Sequence, residues 1–74
     1  DKTLKRIWIG NLPTNTNRAE LEDLCLSCGK VIKIDYRDNG TFGFVTFQSH
    51  EDADFAIYKI NGRNFRNQVL KARW

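Results

Sequence analysis

Gly40-Thr41-Phe42-Gly43-Phe44-Val45-Thr46-Phe47 reads as a strand from Phe42 to Phe47, rich in β-formers and preceded by the tight-turn signal Asp38-Asn39-Gly40. Successive side chains of a strand point to opposite faces, so Phe42 and Phe44 share one face and Gly43, Val45 and Phe47 the other. Val45 and Phe47 are assigned to the core, which leaves both phenylalanines facing away from it. The turn makes Val31 to Arg37, with Ile32 and Ile34 in a polar alternation, the antiparallel partner of this strand in a hairpin.

Outward from the hairpin, Arg6 to Leu12 is a further strand with Ile7 and Ile9 on one face and Arg6, Trp8 and Gly10 on the other; Asn11, Leu12 and Pro13 end it. Asn17 and Glu20 have capping-box spacing, and Leu21, Leu24, Cys25 and Cys28 form the core stripe of a helix from Arg18 to Cys28, stopped by Gly29. Ser49 and Asp52 cap a second helix with the stripe Ala53, Ala56, Ile57 and Ile60, closed by Asn61-Gly62. Val69 to Trp74 is the last strand. The order β-α-β-β-α-β predicts an α+β, ferredoxin-like fold, a four-stranded antiparallel sheet with both helices on one face. The first and third strands are central neighbours in it, so Trp8, Phe42 and Phe44 form one apolar patch on the uncovered face.

The chain has 74 residues, 41% hydrophobic and 28% charged, a globular composition sufficient for one domain spanning 1–74, expected to be excised from a longer protein. No apolar stretch is long enough to cross a bilayer. The net charge of +3 carries little information until the charges are located. Glu20, Glu22, Asp23, Glu51, Asp52 and Asp54 fall on the helices or their caps, whereas Arg18 and Lys59 are the basic residues there. Arg6, Arg37, Lys71 and Arg73 are predicted to share the open face with the aromatics, which makes it basic and suited to a nucleic-acid backbone. Cys25 and Cys28 form a C-x-x-C, but a single His50 leaves no zinc set, so both are expected as buried, reduced thiols. No metal or cofactor is implied, and with one histidine and solvent-facing carboxylates the chain is not read as an enzyme.

Ile7-Trp8-Ile9-Gly10-Asn11-Leu12 and Gly40 to Phe47 resemble the two signature strands of the RNA recognition motif family, and the resemblance covers essentially the whole chain. It implies base stacking by Trp8, Phe42 and Phe44, phosphate or polar contacts from Arg6, Asn11, Arg37, Lys71 and Arg73, and single-stranded RNA as partner in pre-mRNA or mRNA processing. It also implies a monomeric domain and a nuclear location, with shuttling to the cytoplasm left open. The family usually has Lys or Arg and then Gly where this chain has Gly40 and Thr41, so its third strand lacks a phosphate-pairing cation.

A second reading comes from peptide-binding relatives of the same fold, the UHM domains of splicing factors. They hold a tryptophan-bearing peptide between an acidic first helix and an Arg-x-Phe motif. Glu20, Glu22 and Asp23 with Arg63-Asn64-Phe65 are similar to that arrangement. Leu26, Phe55 and Tyr58 lie off the core stripes and are further candidates for a protein contact on the helical side.

Overall fold

Strict alternation in the first and third strands sets the sheet. In the computed structural model, which describes residues 3–74, β1 (Arg6–Gly10) and β3 (Phe42–Phe47) pair antiparallel, Ile7 opposite Val45 and Trp8 opposite Phe44. Asp1 and Lys2, the expected start of the domain, lie outside the described residues. β2 (Val31–Asp35) joins the outer side of β3 and β6 (Lys71–Arg73) the outer side of β1, giving the order β2-β3-β1-β6. Helices α1 (Arg18–Leu26) and α2 (His50–Ile60) complete the expected ferredoxin-like arrangement.

The core lies between the sheet and the helices. Ile7, Ile9, Ile34, Val45, Phe47 and Ala72 project from the sheet into a buried cluster with Leu21, Leu24, Cys25, Ala53, Ala56 and Ile60 of the helices. Burying a side chain of this kind stabilises the fold by roughly 1.5–3 kcal/mol. The helix starts match their sequence signals. Asn17 and Glu20 form a reciprocal capping box, and the Ser49 hydroxyl accepts from the Asp52 amide at 3.1 Å. Both satisfy backbone donors that a helix start leaves without partners.

Element ends differ from the sequence expectations, each for a local reason. β1 stops at Gly10 because Asn11 takes the left-handed region at φ 61. α1 stops at Leu26, where the Cys28 amide turns back to the Cys25 carbonyl at 2.9 Å and tightens the last turn. Cys25 and Cys28 are both buried free thiols, and burial, then proximity to Cys28, pushes the Cys25 thiol from 9.0 up to about 12.

β2 ends at Asp35 instead of Arg37, since the Gly40 amide donates to the Arg37 carbonyl at 2.8 Å and closes a turn with Asn39 at φ 67. A β-bulge between Val31 and Lys33 interrupts the alternation of Ile32 and Ile34: Ile32 is 62% exposed, while Ile34 is buried. The expected strand Val69 to Trp74 divides in two. Gln68–Val69 is β5, paired with β4 (Asn64–Phe65) in a small separate hairpin, and buried Leu70 separates it from β6. Arg66 and Asn67, at φ 51 and 68, form its two-residue turn, whose paired positive φ suits the right-handed strand twist.

Candidate nucleic-acid interface

The register places the predicted platform on one surface. Asp35, Phe44, Trp8 and Arg73 form a cross-strand row spanning all four strands of the sheet. On one side of this row lie Lys33, Thr46 and Arg6, and on the other Phe42, Gly10 and Lys71. Directly opposed side chains on one face are about 4.5–5.5 Å apart at Cβ, so the aromatic and charged groups touch. Phe42 and Phe44 meet edge to face with centroids 6.2 Å apart. Phe42 is 54% exposed, and Trp8 and Phe44 are half-buried.

Two cations cover the rings. The Arg73 guanidinium sits 4.5 Å from the Trp8 ring and that of Arg6 4.3 Å from the Phe44 ring. Such contacts contribute roughly 0.5–1 kcal/mol when exposed. Gly10 makes room for the platform: a Cβ there would lie 2.0 Å from the Trp8 ring, so any larger residue displaces the indole.

Lys71 is exposed on β6, as expected. Arg37 lies in the β2–β3 loop instead of on a strand, and with Asp35, Tyr36, Gly40 and Phe42 it lines a surface pocket of ≈ 400 Å³. The Asn11 amide donates to the Val69 carbonyl at 2.8 Å, and the Asn11 carbonyl accepts from the Gln68 side chain at 2.9 Å. Its polar groups therefore tie the end of β1 to β5.

Asp35 and Tyr36 were not among the sequence candidates. The Asp35 carboxylate faces the open surface with Arg6 at 3.9 Å and Lys33 at 3.8 Å. The Tyr36 hydroxyl lies 2.8 Å from the carbonyls of both Thr16 and Gly40 and shares its proton between them. Burial, with the Asp38 carboxylate adding to it, raises the phenol pKa above its ordinary 10.0.

The peptide-site candidates also converge. Glu20, Asp23, Arg63 and Phe65 line a groove of ≈ 360 Å³ with Leu24, Ser27 and Arg66, whereas Glu22 does not line it. The groove is already engaged from within: Arg66 pairs with Glu20 and lies 5.2 Å from the Phe65 ring. Glu20 is further committed to the capping box. Leu26, Phe55 and Tyr58 are exposed on the helices, with the Lys59 ammonium 5.7 Å from the Phe55 ring.

The family model described as RNA recognition motif matches residues 7–71. The human serine/arginine-rich splicing factor 9 is 38% identical over 72 residues, covering 93% of this chain and 33% of the relative. A Caenorhabditis elegans component of eukaryotic translation initiation factor 3 is 42% identical over 72 residues, covering 89% of this chain and 28% of the relative. The chain thus spans a third or less of the length of these relatives. Among solved structures, that of the Rna15 RRM with bound RNA (GU) superimposes with a TM-score of 0.86 at 21% identity, covering 93% of this chain and 80% of that one.

Proposed function

The chain belongs to the RNA recognition motif family, and from that premise we propose that it binds single-stranded RNA across the open sheet face, as one domain of a longer protein that handles pre-mRNA or mRNA. The observation that carries this reading is the row Phe44–Trp8 with Phe42 beside it, three aromatics on a sheet face away from the core. A base stacked on such a ring gains roughly 1–3 kcal/mol, whatever the base, because every base has a π-face. Arg6 and Arg73 leave the rings as bases arrive and meet the phosphates alongside, with Lys71 and Arg37 as further cations. Phosphate contacts of this kind fix register without reading sequence. Asn11 acts indirectly, by fixing the end of β1.

Binding, not catalysis, is the role. Similarity to a protein named as a splicing factor supports a nuclear site of action on pre-mRNA, and similarity to a component of a translation initiation factor extends the substrate class to mRNA at large. The domain acts as a monomer.

Titration of isotopically labelled chain with a single-stranded uridine-rich octamer, and separately with a tryptophan-containing peptide, tests the reading. The RNA is expected to shift the amides of Trp8, Phe42, Phe44, Lys71 and Arg73. Shifts confined to Arg63, Phe65 and α1 would overturn it.

A further inference from the structure

We propose that the pocket between Phe42 and the β2–β3 turn is a guanine subsite in which the Asp35 carboxylate reads the base; the proposal rests on the RNA-binding reading above. Stacking and phosphate contacts tolerate any sequence, so a preference has to come from a group that meets a base edge. Asp35 is that group. It stands opposite Phe44 in the central row and lines the same ≈ 400 Å³ pocket as Phe42, the most open ring of the platform. Its cationic neighbours are at 3.8 and 3.9 Å, beyond the roughly 2.7–2.9 Å of a charge-assisted hydrogen bond, so its oxygens retain their accepting capacity.

The chemistry of the four bases then selects among them. A carboxylate only accepts, and two oxygens side by side match two adjacent donors. Guanine offers that pair, N1–H and the N2 amino group, on its Watson–Crick edge. Uracil has one N–H flanked by two carbonyl oxygens, and adenine and cytosine set an amino group beside a ring nitrogen that accepts, so each of the three turns a lone pair toward the carboxylate. Arg37, which also lines the pocket, offers donors to guanine O6 and N7. The turn wall is held by the Tyr36 hydroxyl at the Gly40 carbonyl and by the Asn39 amide, which donates to the Thr16 carbonyl at 3.0 Å. The pocket is therefore in place before RNA arrives, and a preformed site avoids the ordering cost of a flexible loop.

Fluorescence anisotropy with uridine heptamers carrying guanosine, inosine, adenosine or uridine at the centre tests this. Inosine keeps N1–H and O6 and lacks the N2 amino group. The guanosine oligomer is expected to bind about tenfold more tightly than the other three. Asp35→Asn should erase that difference between guanosine and the other three, since an amide presents only one accepting oxygen in place of two. Equal affinity for guanosine and inosine overturns the subsite, as does an Asp35→Asn variant that weakens all four oligomers alike. Failure of every oligomer to bind overturns the RNA-binding reading itself, and the subsite with it.

Discussion

Two surface depressions of this domain are built from the same three kinds of group, a phenylalanine ring, a guanidinium and a carboxylate, and stand in opposite states. On the sheet side, Phe42, Arg37 and Asp35 line a pocket in which the ring is more than half exposed and the carboxylate is loosely paired. On the helical side, Phe65, Arg66 and Glu20 line a groove in which the arginine lies on the ring and pairs with the acid, and the acid also caps α1. In the groove each group has satisfied its neighbour, so a ligand would have to replace contacts that hold the fold together. In the pocket, the stacking surface and the acceptor atoms are unspent. Composition alone does not separate a site from a strut; the partners already taken do.

The widest separation between the two regions should come from removing their rings. Trp8→Ala or Phe44→Ala should each weaken single-stranded RNA binding by roughly 1–3 kcal/mol with little change in melting temperature. Phe65→Ala should do the reverse, lowering stability by about 1–2 kcal/mol with RNA affinity intact. If Phe65→Ala weakens RNA binding as much as Phe44→Ala does, the contrast fails. A smaller effect is expected from Glu20→Gln, which loses the carboxylate partner of Arg66 and keeps a side chain able to complete the capping box. Chemical denaturation should show a loss of about 0.5–1 kcal/mol, and the freed Arg66 should open the groove to an acidic peptide that the parent chain ignores.

The smallest effect at neutral pH concerns Cys25, on the buried face of α1. Its folded pKa of about 12 lies above the ordinary 9.0, so the folded chain keeps a proton that the unfolded chain gives up. The resulting stability is fully present below pH 9 and is lost as pH rises from there toward 12. Cys25→Ala should be less stable at pH 7 and decline less steeply above pH 9, as measured by urea midpoints across that range.

Residue alternation made the platform legible, because Ile7, Ile9, Val45 and Phe47 are apolar in an unbroken phase that forces Trp8, Phe42 and Phe44 to the opposite face. The alternation of Ile32 and Ile34 does not carry through β2, since an inserted bulge residue changes phase without changing composition. The β4–β5 hairpin was hidden for a related reason: its turn uses Arg66 and Asn67 at positive φ, where a glycine would have announced it. Asp35 lies two residues from Arg37, in the same phase counted from Ile34, and was readable in principle. Its importance emerges only once β2 is seen to end there, with Arg37 swung off the strand into the loop.

The bulge in β2 has a bearing on how such a surface stays manageable at high concentration. β2 and β6 are the free edges of the sheet. An unpaired edge invites the edge of another copy to add on and continue the ladder. Here one edge is kinked at Ile32 and followed by alternating charges at Lys33 and Asp35, and the other is only 3 residues long. Neither presents a straight template, so strand addition is blocked at the rim while the adhesive rings remain displayed on the face.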